Sequence, residues 1–236
     1  MTTPLFYVPL TFGLTVLLTF YLLISTLQPT LSRSNLFIVI GLLVLWMGIQ
    51  TGLSLSGFYQ VQTRPPRFLL LVGPPMLTII ILLVRRKSRA VLQTISLERL
   101  TWIHLVRIPV ELVLLWLFLY RQIPVEMTFE GRNPDILSGI TAPLVAYFGI
   151  RQGRMSRGGL LVWNLVCLGL LINIVATSVL SAPSPFQRFG FDQPNVGLAR
   201  FPFVLLPGFI VPVVLWSHLT AIIQLTRARR STVSVS

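Results

Sequence analysis

Residues 4–27 read PLFYVPLTFGLTVLLTFYLLISTL, and this stretch contains no charged side chain. An α-helix rises about 1.5 Å per residue, so the stretch is long enough to cross the roughly 30 Å hydrocarbon core of a bilayer. Six further stretches have a similar apolar character: 35–57, 67–84, 97–120, 134–150, 158–180 and 201–225. The sequence therefore predicts an all-α, polytopic membrane helix bundle with about seven transmembrane helices.

Composition favours membrane insertion over a soluble fold. The protein has 236 residues, of which 54% are hydrophobic and 11% are charged. Soluble domains carry roughly 25% charged residues, because their surfaces must be hydrated. No segment between the apolar stretches is long enough for a soluble domain. We therefore predict one membrane domain over residues 1–230 and a disordered polar tail over 231–236.

The net charge of +13 bears on orientation rather than on nucleic acid. The basic side chains lie in short loops between apolar stretches, so the positive-inside rule explains them and no nucleic-acid partner is expected. One set of alternate loops holds Arg33, Arg85, Arg86, Lys87, Arg89, Arg99, Arg151, Arg154, Arg157, Arg227, Arg229 and Arg230. The other set holds Arg64, Arg67, Arg121, Arg132, Arg188 and Arg200. The N-terminus is predicted outside and the C-terminus in the cytoplasm. The short loops favour a bacterial cytoplasmic (inner) membrane.

The fourth apolar stretch carries the strongest functional signal. His104, Arg107 and Glu111 are spaced by three and four residues, so they lie on one face of a helix. Arg107 falls near the bilayer centre, where an uncompensated charge costs on the order of 3 kcal/mol. This face must therefore point into the bundle or into a water-filled cavity. An Arg107–Glu111 ion pair that only fixes helix packing is one alternative, but intramembrane charges often mark functional sites, which favours a ligand site.

The predicted ligand-binding set combines this face with polar residues of other helices and of one outer loop. By residue counting, His218 and Asn164 lie at the depth of His104, and Asn173 and Asp135 lie nearer to Glu111. The sequence therefore predicts a polar column through Arg107. The loop that carries Glu130 is interpreted either as a lid or as a solvated turn. The full set is Arg107, Glu111, His104, His218, Asn173, Asn164, Asp135 and Glu130.

A short internal echo joins two of the stretches. Arg67 and Phe68 precede Pro74 at the same spacing as Arg200 and Phe201 precede Pro207. A three-plus-one-plus-three repeat of the kind found in some transporters would produce this echo. Chance similarity between two sequences at a membrane interface would also produce it, and both explanations stay open.

Several chemistries are excluded or kept only as alternatives. A covalent retinal pigment needs a lysine in a helix, and the only lysine, Lys87, lies in a loop. The lone cysteine, Cys167, cannot form an intramolecular disulfide. No metal site is predicted, because His104 and Glu111 lie about 10 Å apart along the helix axis. A haem held by His104 and His218, or an enzyme using the same residues, remains an alternative; no other cofactor is predicted.

A transporter or a receptor-like protein for a small molecule fits best. Such a protein needs an internal cavity, a few polar groups near the midplane and breakable helices, and the prolines within the stretches supply the last of these. The remaining alternative is an assembly subunit whose polar face binds another membrane protein. Expected partners are therefore the lipid bilayer, a small-molecule ligand and, in that alternative, a membrane-protein partner or a homo-oligomer.

Overall fold

All regular structure is helical in the computed structural model, which describes residues 3–61, 63 and 66–233, with side chains through residue 227. Eight helices occur in this part of the chain. They are α1 (Tyr7–Leu27), α2 (Arg33–Leu55), α3 (Phe68–Val84), α4 (Arg86–Thr94), α5 (Leu97–Leu119), α6 (Ile136–Arg151), α7 (Arg157–Ser181) and α8, which begins as Leu206–Ile210 and continues as Val211–Val233. Short 3-10 turns lie in the connections at Phe58–Gln60, Val125–Met127 and Gly197–Ala199.

Five of these helices, α1, α2, α5, α7 and α8, are long and apolar enough to cross a membrane. The helix α3 is joined to α4 through a bend of 87°, and the pair is a sixth candidate if it forms one span. The helix α6 is apolar but shorter. The prediction of an all-helical protein with membrane-spanning helices is confirmed at this level. Helix length supports five or six spans among the described residues, fewer than the seven predicted.

The basic segment after α3 is a helix rather than the loop expected from the sequence. Arg85 is extended, and the chain then forms α4 at a steep angle to α3. Leu92 is buried, and the Gln224 side chain of α8 donates to the carbonyls of Leu92 and Ile95 at 2.7 and 2.9 Å. The helix α4 is therefore amphipathic, with one face held against α8 and its basic residues elsewhere.

Burial divides the helices into a central and a peripheral group. In the most apolar 18-residue stretch of each helix, 67% of the residues of α8 and 50% of those of α5 are buried. In α2 the buried share is 6%. The contacts of α2 with the bundle include two polar ones: Trp46 Nε1 donates to the Gly208 carbonyl at 2.8 Å, and Ser54 Oγ to the Ala199 carbonyl at 3.0 Å. Its remaining apolar surface faces outward, as expected of a helix surrounded by lipid.

Three central helices depart from regular α-geometry. The helix α5 contains a 3-10 turn at Ile103–Val106, just before Pro109. The helix α6 ends in a π-helical turn at Val145–Arg151, and α8 begins with one at Leu206–Ile210. Each irregular turn lies close to a proline, which removes one backbone N–H and crowds the preceding turn. These prolines are Pro109 in α5, Pro143 in α6 and Pro207 in α8.

The C-terminal end of α8 bears on the predicted tail. The helix continues to Val233, three residues into the segment predicted to be disordered from 231 onward. Residues 234–236 lie outside the described residues.

Candidate functional site

Arg107 lies at the centre of the site, on the buried face of α5. Its side chain is 3% exposed, and Nη1 donates to Asp135 Oδ1 at 2.9 Å and to the Cys167 carbonyl at 3.2 Å. The other two guanidinium nitrogens, Nε and Nη2, are buried and have no hydrogen-bond partner among the described residues. The ion pair therefore joins α5 to the start of α6. It is not the Arg107–Glu111 pair considered as a packing alternative.

Close packing of α6 on α5 makes this pair possible. A Cβ added to Gly139 would lie 2.8 Å from Ile108 Cγ1, 2.9 Å from the Ile108 backbone nitrogen and 3.2 Å from Arg107 Cβ. A side chain here would push the helices apart. Asp135 lies one turn earlier, immediately before the first residue of α6, and Ser138 Oγ donates to its Oδ1 at 3.3 Å. The glycine thus sets the distance over which Asp135 reaches the guanidinium.

Glu111 contacts the loop between α5 and α6, called the outer loop after its predicted side of the membrane, instead of a cation. Asn133 Nδ2 lies 2.8 Å from Oε1 and 2.7 Å from Oε2 of Glu111, and 3.2 Å from the Met127 carbonyl. The Asn133 oxygen in turn accepts from the Asp135 backbone N–H at 3.3 Å. One asparagine therefore links the two carboxylate-bearing positions. Asn133 was not predicted to belong to the site, because Asn133, Pro134 and Asp135 already fit the cap and first turn of a helix. That local pattern contains no signal for a contact with Glu111.

The loop that was interpreted as a lid or a solvated turn is folded against the bundle. Met127, Thr128 and Asn133 are fully or almost fully buried, whereas Glu130 is exposed. Gly131 is required here, because an added Cβ would lie 2.1 Å from the Val125 carbonyl oxygen. The buried part of the loop covers the Glu111 end of the polar centre, and Glu130 is exposed away from it.

The two histidines form a stacked pair on the side of Arg107 away from Glu111. The rings of His104 and His218 are 3.8 Å apart between centroids, with an angle of 18° between their planes. The Nδ1 atom of His218 lies 3.0 Å from Asn164 Oδ1, and Asn164 Nδ2 donates to the Leu160 carbonyl at 2.9 Å. Because Asn164 presents its oxygen, His218 Nδ1 carries the hydrogen. Ser217 Oγ donates to the Leu100 carbonyl at 2.7 Å and lies 3.4 Å from His104 Nε2.

An aromatic side chain completes the cluster around His104 and His218. Trp163 contacts the His104 ring edge-on at 5.7 Å between centroids, and its Nε1 donates to Thr141 Oγ1 of α6 at 3.1 Å. The contact between the two histidine rings leaves no room for a porphyrin plane between them. Haem ligation by this pair would need a different packing of α5 and α8. No group of three metal-ligating side chains occurs among the described residues.

The structure brings most of the predicted ligand-binding set together. Along α5, His104 meets α8, Arg107 meets α6 and Glu111 meets the outer loop, so successive turns of one helix face contact three different elements. Two predicted members lie elsewhere. Asn173 is exposed and donates to the Arg132 carbonyl at 2.8 Å, and Glu130 is exposed on the loop. The polar centre comprises His104, Arg107, Glu111, Asn133, Asp135, Asn164 and His218.

These features define a class, an α-helical protein with a buried polar centre among helices apolar enough to span a membrane. The chain belongs to the family described as Domain of unknown function (DUF8737), which matches residues 65–226. The matched region contains the whole polar centre, and α1 and α2 precede it. No curated protein and no solved structure matches the chain.

Proposed function

We propose that the protein transports or senses a small molecule that carries a carboxylate or a phosphate group, and that the polar centre is its binding site. The observation that carries this proposal is the state of Arg107. Its Nη1 atom is paired with Asp135, while Nε and Nη2 are buried without a partner. A buried polar group without a hydrogen bond costs about 1–3 kcal/mol, so the arrangement favours any ligand that satisfies both nitrogens.

The geometry of the guanidinium identifies the class of ligand. The Nε and Nη2 hydrogens point along one edge of the planar group and can donate two parallel hydrogen bonds. Carboxylate and phosphate oxygens match this edge, and charge-assisted bidentate pairs of this kind are among the strongest hydrogen bonds in proteins. Asp135 occupies the opposite end of the guanidinium, so it balances the charge of Arg107 while leaving the edge free.

A ligand reaches the edge only if the centre opens. Arg107, Glu111, His104 and His218 are closed off on all sides in this conformation. The 3-10 turn of α5 contains His104, and α6 and α8, which follow Asp135 and carry His218, each contain a π-helical turn at which the helix can bend. Broken helices beside a polar midplane site are a feature of many secondary transporters. We therefore propose that the structure is the closed state of a site with alternating or gated access.

We also propose the finer topology that the sequence predicts. In it, α3 and α6 cross the membrane together with the five longer helices, which gives seven crossings. The basic residues of α4 and of the α6–α7 connection then face the cytoplasm with the C-terminus, and the N-terminus lies outside. A bacterial cytoplasmic membrane is the proposed location, for which the support is the compactness of the chain.

Binding to purified protein in nanodiscs tests this function. The probes are succinate, glutamate and glycerol 3-phosphate as anions, with uncharged glycerol as a control, and thermal stabilisation is the readout. We expect at least one anion, but not glycerol, to raise the melting temperature of the wild type. Arg157→Gln serves as the matched control, because Arg157 is an exposed arginine that donates to the Gln224 carbonyl far from the centre.

A double variant separates ligand binding from packing. Arg107→Gln combined with Asp135→Asn removes both charges at once, so no unpaired buried ion is left to unfold the protein. We expect this variant to fold and to lose the response to the anion. Retention of the full response by the folded double variant would refute the proposed site. Loss of a co-purifying protein would instead favour the assembly alternative, and a Soret absorbance band would favour the haem alternative.

A further inference from the structure

A cavity lies at the end of the bundle opposite α4. It has a volume of about 600 Å³, within the roughly 300–1,000 Å³ typical of small-molecule sites. Its walls are the start of α3, the end of α7 and the outer connection that leads to α8. We call this space the outer cavity. Ser178 of α7 lines the outer cavity, whereas Cys167 of the same helix contacts Arg107 in the polar centre. The two residues lie roughly 16 Å apart along the helix, so the outer cavity is separate from the polar centre.

The lining of the outer cavity is chemically asymmetric. One part is apolar, with Phe68, Leu71 and Val72 from α3 and Val179 from α7. The charged residues in the described lining are Arg67 and Arg200. A cavity with cations on one part and apolar walls on another matches a molecule with an anionic head and an apolar chain.

Arg67 is fixed in place without being neutralised. Its guanidinium carbon lies 4.5 Å from the centroid of the Phe58 ring, and Nη1 donates to the Phe58 carbonyl at 3.1 Å. A ring face and a backbone carbonyl position the group but leave its full positive charge. The short sequence echo places Arg67 and Arg200 at the same spacing before Pro74 of α3 and Pro207 of α8, and in the structure both arginines line the same cavity.

We propose that the outer cavity binds an anionic amphiphile, with its carboxylate or phosphate head at Arg67 and Arg200 and its apolar chain against α3 and α7. Pro207, in the irregular first turn of α8, also lines the cavity. The bound chain would therefore contact the helix that carries His218. The proposal does not depend on ligand binding at Arg107.

Decanoate binding to the full-length protein in nanodiscs of zwitterionic phosphatidylcholine tests this proposal. Decanol supplies the chain without the charge, and inorganic phosphate supplies the charge without the chain. We expect saturable binding of decanoate, with decanol and inorganic phosphate each at least about tenfold weaker, because each lacks one half of the match. Adding phosphatidylglycerol to the nanodisc identifies the source: displacement of decanoate assigns the site to a lipid, and its absence assigns it to a free anion.

Variants locate the binding within the cavity. Arg67→Gln combined with Arg200→Gln should weaken decanoate binding about tenfold or more. Ala182→Trp keeps both arginines but fills space in the lining, and should weaken binding to a similar extent even if the double variant does not fold. Arg188→Gln changes an exposed arginine outside the lining and should have no effect. Equal binding of decanoate and decanol, unchanged binding by Ala182→Trp, or no saturable decanoate binding would overturn the proposal.

Discussion

The polar centre and the outer cavity both place arginines among apolar helices, but they accommodate the charge in opposite ways. Arg107 is sealed and paired with Asp135. Arg67 is half-buried, lies over the Phe58 ring and borders an open space. Removing one charge at the centre leaves the other charge buried and unpaired, which lowers the stability of the fold. Removing Arg67 at the cavity leaves no buried ion without a partner, so its cost should be small. We therefore expect the centre to be coupled to folding and to open only if it binds the proposed ligand, whereas the cavity is preformed.

The largest expected effect comes from breaking the ion pair of the centre. Arg107→Gln leaves Asp135 buried without its cation, so the free energy of unfolding should fall by about 3–5 kcal/mol. Adding Asp135→Asn should recover most of this loss. Reversible unfolding in mixed micelles measures both variants, with Arg157→Gln expected within about 0.5 kcal/mol of the wild type. If the double variant is as unstable as Arg107→Gln alone, the two charges are not coupled.

A smaller effect is expected where the centre meets the outer loop. Asn133→Ala removes the hydrogen bonds to Glu111 and should lower the unfolding free energy by about 2 kcal/mol. Asn173→Ala is the matched control, since that exposed asparagine donates only to the Arg132 carbonyl, and it should cost less than about 1 kcal/mol. Equal losses in the two variants would mean that the Glu111–Asn133 contact contributes nothing specific.

The approach of α6 to α5 should tolerate little added volume. Crowding of Ile108 by the new methyl group in Gly139→Ala should lower the free energy of unfolding by up to about 2 kcal/mol. The higher helix propensity of alanine should raise it by about 1 kcal/mol, so we expect a net loss of about 1 kcal/mol. Gly169→Ala is the control, because an added Cβ there meets nothing within 4 Å. That variant should be neutral or slightly stabilising in the same unfolding assay. A neutral Gly139→Ala would show that the helices can separate freely at Arg107.

The smallest effect is expected at the outer cavity. Arg67→Gln removes a cation–ring contact at a half-buried position, so the unfolding free energy should change by no more than about 1 kcal/mol. The same unfolding assay measures this variant beside Arg107→Gln. A loss comparable to that of Arg107→Gln would remove the distinction between a centre tied to folding and a preformed cavity.

Much of the centre could be predicted from one helix. The spacing of His104, Arg107 and Glu111 fixed a common face, and the cost of a charge in lipid required that face to point inward. The location of His218 and Asn164 beside His104 agreed with simple residue counting along two other helices. These predictions work because helix geometry and depth are set locally by sequence.

The partners across helices could not be predicted in the same way. Whether Arg107 pairs with Glu111 or Asp135 depends on how closely α6 approaches α5, which Gly139 decides through packing. Asn133 had a sufficient local explanation as a cap, and that explanation hid its contact with Glu111. The helix α4 was missed because its many basic residues resemble a cytoplasmic loop, although Leu92 marks a buried face.

The reactivity of Cys167 tests the central claim most directly. It is the only cysteine of the chain, it is buried, and its carbonyl accepts a hydrogen bond from Arg107. If the centre opens to bind an anion, a small charged methanethiosulfonate reagent should modify Cys167 in the folded protein at a measurable rate. The bound anion should slow this modification, and Arg107→Gln with Asp135→Asn should accelerate it. If Cys167 is modified only when the protein unfolds, in the wild type and in the double variant alike, the proposed opening of the polar centre would be contradicted.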